Sequence, residues 1–314
     1  MVLASSRIAD PSCNSRSPSF VWKGTSLRVD LLEGIPMVPT SVGEAFECLA
    51  AVSSRLRSQG DPRAAFTDVY AVITRRVRDA IEKPGSECPF VEPAFISRLA
   101  GRFCTLYLAA LRRSLAGAQE PVHAWRIANR EDGSQRAARG DRSRALPFQH
   151  ALLGLNAHIN YDLALGLLDN VAGLGAAGDD ARMARYRHDH DAVNQILEDA
   201  IPEVLSLLDE QYGCAAAHFV LRADELRRAT SSVTMLVLRT WRARVWGDLR
   251  GMLSTPDEAA KDRIRSRMNM RAGLFAGLLR LPLPIPAARA LSGRRSRPTR
   301  GELSPTEEPL PAAA

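Results

Sequence analysis

Residues 156–163 read NAHINYDL, which places Asn156, His158, Asn160 and Asp162 within seven positions of an otherwise apolar stretch. On a helix, residues four apart are surface neighbours. His158 therefore pairs with Asp162 on one face, and Asn156 pairs with Asn160 on the opposite face. A histidine and a carboxylate at this spacing can ligate a metal ion together, or the carboxylate can orient the imidazole as a general base. The plainer alternative is that each pair hydrogen-bonds a neighbouring helix. From Ala151 to Leu168 the remaining residues are apolar on every side, so this helix belongs inside the protein. There an unpaired polar group costs about 1–3 kcal/mol, and four of them in one helix require an explanation.

A second polar stretch, RYRHDHDAVNQIL over residues 185–197, carries His188, Asp189, His190, Asp191 and Asn194. Its members diverge on a helix. Asp189 falls with Val193, Ile196 and Leu197 on the inward face, His190 and Asn194 lie at its edge, and His188 and Asp191 point outward. The two polar helices follow each other through a Gly-rich turn, so they are expected to be antiparallel neighbours. That would bring His158, Asp162 and Asp189 together as catalytic or metal-ligating residues, with a divalent metal ion held by mixed oxygen and nitrogen ligands. Asn156, Asn160 and Asn194 would serve the substrate. A third helix, LVLRTWRARVWGDL, adds Arg242 and Trp246 beside Met235, Leu238 and Leu249. An Arg on an apolar face clamps a carboxylate or phosphate, or snorkels from the rim.

The elements that must position these residues are all helical. Ser41 with Glu44 forms a capping-box pattern, and Ala45, Cys48, Leu49 and Val52 follow on one face. A second helix carries Phe66, Val69, Tyr70, Ile73 and Val77 after Asp61-Pro62, and a third runs from about Pro93 to Ala116. The apolar helix covers about 147–174, the next Asp179 to about Tyr212, then about Ala215–Leu253 and Pro256–Leu279. No alternating strand pattern occurs. The expectation is an all-α, single multi-helix bundle over 41–280, with an irregular leader at 1–40 and a disordered Pro/Arg-rich tail at 281–314.

The 314 residues carry a net charge of +7 with 46% hydrophobic and 25% charged residues, a soluble globular balance that excludes a collagen-like or wholly disordered chain. The excess charge sits in two places. Residues 126–144 hold six Arg against three acids, and 289–300 hold five Arg and no acid. Aromatics are not interleaved with these arginines, which argues against nucleic acid as a partner. The apolar stretch at 273–286, broken by Arg280 and followed by the basic run, suggests peripheral membrane contact through 273–300 or a last helix packed on the bundle. Five cysteines without a C-x-x-C pair indicate neither a zinc ribbon nor a disulfide framework. Without a signal-like N-terminus or an unbroken apolar run of spanning length, the expected location is cytoplasmic.

The N-A-H-I-N-x-D-L element at Asn156–Leu163 resembles the hallmark of an uncharacterised, mainly bacterial family, domain of unknown function 5995. Its pattern continues as D-[aromatic]-x-x-[IV]-N, matched by Asp189 and Asn194 with His190 in the aromatic place, and as R-x-x-x-W, matched by Arg242 and Trp246. Similarity upstream reaches Tyr70, Phe103, Tyr107 and Trp125, and the resemblance covers about 44–250. It implies a helical fold, favours Asp189 over Asp191, and carries no established activity.

Two function classes follow. One is an enzyme acting on a small molecule with an apolar body and an anionic head, either a lipid-like ester or an isoprenoid diphosphate, by hydrolase, lyase or cyclase chemistry. No D-D-x-x-D motif marks it as an ordinary terpene synthase. The other is a non-catalytic helical protein that binds a ligand or a membrane surface.

Overall fold

The computed structural model describes residues 30–129 and 147–281. The leader up to residue 29 with Cys13, the Arg-rich connection from 130 to 146, and the tail beyond Leu281 lie outside the described residues, as do the expectations placed on them.

Helices α1 (Val42–Ser58), α2 (Ala64–Ile81), α3 (Pro93–Leu115) and the short α4 (His123–Ala128) form the first half. In the second half α5 (Pro147–Ala157) runs through a π-helical turn (His158–Asp162) into α6 (Leu163–Gly173). Then come α7 (Asp180–Tyr212), α8 (Ala215–Leu221), α9 (Asp224–Leu253) and α10 (Glu258–Leu279). Among the described residues there is no strand, and the fold is all-α.

Local chemistry sets the helix starts. The Ser41 hydroxyl accepts from the Glu44 amide at 3.2 Å, and the Glu44 carboxylate accepts from the Thr40 amide at 2.7 Å. This is the reciprocal cap expected there, displaced by one residue on its return arm. Asp179 and Asp257 cap α7 and α10 through their side chains. Gly213 ends α7 at φ 58°, in the left-handed region where glycine avoids the Cβ penalty.

Three outcomes depart from the sequence pattern. The stretch expected as one helix from Ala215 to Leu253 is broken at Ala223, whose extended backbone precedes Asp224 and Glu225 in the first turn of α9. Those two acids favour a new helix N-terminus through its dipole. Helix α4 was not evident at all, being only six residues long. The third departure bears on the site: α6 and α7 are not antiparallel neighbours. Helix α6 packs between α3 and α9, while α7 lies against α2, α8 and α9. Being apolar on all sides, α6 needs cover from several helices, and α3 occupies the flank that a simple hairpin would have given to α7.

Among the described residues one helix, α3, is long and apolar enough to cross a membrane by length and composition, and half of its most apolar window is buried in the bundle. The four described cysteines are free. Met270, Leu274, Leu278 and Leu281, spaced by four, four and three, stand exposed along one side of α10 and its end.

Candidate functional site

The π-helical turn holds the His158–Asp162 pair. The Leu163 amide donates to the His158 carbonyl, five residues back, which widens the turn. In an α-helix, residues four apart are offset by about 40°; the wider turn reduces that offset and sets the imidazole over the carboxylate. His158 Nδ1 lies 3.1 Å from Asp162 Oδ2, and the Trp125 indole N–H donates to the same oxygen at 2.9 Å. Both residues are buried. Aromatic rings enclose the imidazole: Phe103 stacks on it at 3.3 Å between centroids, Tyr70 meets it edge-on at 4.5 Å, and Phe66, Tyr107 and Trp125 complete the enclosure. The Phe66 ring passes so close to Gly154 that any Cβ there would overlap it, so this enclosure needs glycine at 154.

Burial sets the protonation of the pair. It pushes the Asp162 carboxyl well above its ordinary value, against the smaller opposing effect of the Trp125 hydrogen bond, and it pushes His158 well below its own. Each group resists carrying a charge alone, so the stable form is net neutral. One proton then bridges Oδ2 and Nδ1, and Nε2 carries the other as a donor. Only when Asp162 ionises, with Nδ1–H donating to it, does Nε2 become a free base.

His158 Nε2 has no hydrogen-bond partner among the described residues, and neither do the Tyr70 hydroxyl or His190 Nδ1, all of them buried. Their three residues line one cavity of about 90 Å³ between α2, α3, α6, α7 and α9, together with Arg242. Its remaining walls are Ile, Leu, Val, Phe and Ala100, with Thr74. A buried, unpartnered polar atom is rare enough to call for a cause; three around one cavity form a set.

Arg242 and His190 are tied to each other. The Arg242 guanidinium donates to the His190 carbonyl and, through Nε, to Asn194 Oδ1 at 2.9 Å; His190 Nε2 lies 3.2 Å from the Arg242 carbonyl. A carbonyl only accepts, so Nε2 carries the proton and Nδ1 is left as an acceptor. Burial first, and then the positive Arg242 and Arg187, hold His190 well below its ordinary value, hence neutral. Arg242 is buried, which lowers it to about 10, so it stays charged. Among the described residues no carboxylate forms an ion pair with it.

The other residues expected at the site lie elsewhere. Asp189, fully buried, accepts the Val91 amide at 2.7 Å and the Glu92 amide at 2.6 Å. It thereby anchors the start of α3, where Phe95 stacks on Tyr186 at 3.9 Å. Asp189 does not line the cavity, and the ligand set of His158, Asp162 and Asp189 does not converge. Among the described residues no group of three or more His, Cys, Asp or Glu is placed to hold a metal ion. The displacement of α7 from α6 is the reason. Asn156 donates to the Ala272 carbonyl at 2.8 Å and accepts from Asn160 at 3.0 Å, so this pair fastens the π-helical turn to α10. Trp246 backs His190 at 5.3 Å and is covered by the Arg187 guanidinium. Asn194 and Trp246 position Arg242 and His190. His188 and Asp191 are turned outward, as the projection expects.

Tyr70, Phe103 and Trp125 were reached by the family resemblance, but nothing in their spacing marked them as parts of the site. Each is an aromatic residue on the buried face of an otherwise ordinary helix, and only their convergence on His158 sets them apart.

Fold and site together define an all-α bundle with a mainly apolar cavity, lined also by His190 and Arg242, beside a His–Asp pair. The chain belongs to a family of unknown function, DUF5995, whose family model matches residues 42–282. Comparison with the curated proteins and with the solved structures returns no match.

Proposed function

We propose that the protein is an enzyme that performs proton-transfer chemistry on a small molecule with an apolar body and an anionic head. The observation that carries this reading is the set of buried, unpartnered polar atoms of Tyr70, His158 and His190 around one cavity that also presents Arg242. Arg242 receives the anionic head. His158 Nε2 donates a proton, or accepts one once Asp162 has ionised, and Asp162 holds the imidazole with Trp125 fixing the carboxylate. The Tyr70 hydroxyl steadies a carbonyl or developing oxyanion. Among the described residues Arg242 is the one cationic side chain on this cavity, which favours a singly charged head over a diphosphate. Hydrolysis of a lipid-like ester, with His158 activating water, therefore suits the site better than cyclisation of an isoprenoid diphosphate. The test is turnover of a panel of acyl esters by the full chain and by His158→Gln. Loss of at least about 100-fold in kcat with folding retained is expected for a general acid–base group. Equal turnover by wild type and variant, or none by either, overturns the catalytic reading.

The exposed stripe of Met270, Leu274, Leu278 and Leu281 favours a second role, peripheral contact with an anionic membrane. Flotation with vesicles containing phosphatidylserine is expected to fall when Leu274 and Leu278 are changed to Glu; unchanged flotation refutes it.

A further inference from the structure

A second cavity, of about 330 Å³, adjoins the first. Its walls are almost wholly aliphatic: Val69 and Ile73 from α2, Ala151, Leu152 and Leu155 from α5, Leu197 to Leu208 from α7, Ala217 and Val220 from α8, and Leu238 from α9. Among the described residues no charged side chain lines it; Thr230, Thr234 and Cys214 are its polar lining. It is more than twice the roughly 150 Å³ of an apolar cavity that holds one benzene.

The two cavities share Ile73, Leu155 and Leu197. Three helices carry their linings from one to the other, and α2 borders both. On α2, Val69 of the larger cavity falls between Phe66 and Tyr70 of the smaller, and Ile73 is common to the two; α5 leads from Ala151 through Leu155 to His158. On α7 the lining residues run from Leu208 back to His190, and on α9 Leu238 stands one turn before Arg242. At 1.5 Å per residue, the α7 strip from His190 to Leu208 is about 27 Å long. Half the hydrocarbon thickness of a bilayer, the depth one acyl chain fills, is about 15 Å. The strip thus has length for an acyl chain and a head group end to end, with all of its charge at one end.

We infer that the larger cavity is the tail chamber for a single unbranched fatty acyl chain whose anionic head lies at Arg242 and His190. The inference deepens the proposed reading by naming the substrate class, and it rests on that reading for the placement of the head. An aliphatic wall without charge admits only an apolar chain, and an Arg without a carboxylate partner at the far end sets its direction. Just off the chamber wall, Phe219, Val233 and Leu236 are exposed on α8 and α9, so apolar surface also borders the chamber on the outside.

The test is calorimetric binding of straight-chain carboxylates, from hexanoate through dodecanoate to hexadecanoate, to the full chain. Affinity is expected to rise about fourfold per added methylene until the chamber is full. Ala200→Leu and Ala217→Leu, which narrow the chamber from two different helices, shift the tightest binding to shorter chains. Hexadecanol is expected to bind at least tenfold more weakly than hexadecanoate, and Arg242→Gln to abolish that preference. Affinity independent of chain length, or no binding of any chain, overturns the inference, and the chain-length series on the wild type decides this even if Arg242→Gln fails to fold. Binding is read without turnover. Chain-length dependence without ester hydrolysis would refute catalysis and leave the chamber; hydrolysis of short esters without chain-length dependence would do the reverse.

Discussion

Replacing Asp162 by Asn tests whether burial really fixes the His158–Asp162 pair in its net-neutral form. The amide keeps the shape, and its oxygen, in the place of Oδ2, accepts from the Trp125 indole and from His158 Nδ1–H, so the imidazole stays neutral. The expected stabilities of the two proteins follow from counting protons. A carboxyl raised above its ordinary 3.8 contributes stability that is full below that value and is lost as pH rises through the folded value. An imidazole lowered below its ordinary 6.5 contributes stability present above 6.5 and lost as pH falls through the folded value. Between those two ordinary values the wild-type pair holds one titratable proton both folded, on Asp162, and unfolded, on the histidine. Its contribution there is flat, and above pH 6.5 it declines. In Asp162→Asn only the imidazole titrates, so stability climbs up to pH 6.5 and then levels. The difference between the two proteins grows by about 1.4 kcal/mol per pH unit, or about 2 kcal/mol between pH 4.5 and 6. Urea unfolding of both proteins at several pH values measures it, and contributions from other groups cancel in the difference. Parallel stability curves for wild type and variant would show that Asp162 is ionised in the folded protein, and the net-neutral pair would have to be abandoned. The same variant loses the carboxylate that would stabilise His158 once Nε2 takes up a proton, so base-dependent turnover is expected to fall while ligand binding persists.

Asp189→Asn removes one of the two acceptors that hold the Val91 and Glu92 amides, and is expected to lower stability by about 1–3 kcal/mol in urea unfolding; a fully stable but inactive variant would instead place Asp189 in the chemistry. Gly154→Ala drives a methyl into the Phe66 ring and is expected to cost about 1–3 kcal/mol by thermal or urea unfolding, with weakened ligand binding as the enclosure of His158 shifts; wild-type stability would mean that the ring has room to move.

Periodicity revealed the longer elements because helices such as α1 and α3 bury a continuous apolar face. Cys48, Leu49 and Val52 on α1, or Phe95 and Leu99 on α3, repeat at the helical spacing and are buried. The polar pairs within one helix were legible for the same reason: His158 with Asp162, and Asn156 with Asn160, need only the geometry of a single turn. What each pair meets was not legible. Asp189 lies on the inward face as its projection requires, yet what it meets there is the start of α3, an element almost a hundred residues earlier in the chain. Inward facing marks a residue as buried; it does not say whether the partner is a ligand or a backbone amide.

The partition among the polar residues follows from how many of their hydrogen bonds the bundle satisfies. Asn156 spends both amide atoms on Ala272 and Asn160, and Asp189 spends both oxygens on backbone amides, so these residues already return the cost of their burial as structure. His158, His190 and Tyr70, residues that line one cavity, each retain a buried unpartnered atom, as do Asn129, Asn160 and Asn170 away from it. A bundle selected only for stability would replace Tyr70 with Phe and the two imidazoles with apolar residues of similar size, since a buried polar atom without a partner costs more than the apolar group that could fill its place. Their place in residues that line one cavity, beside a buried Arg that forms no ion pair among the described residues, supports the proposed ligand with a polar head of its own.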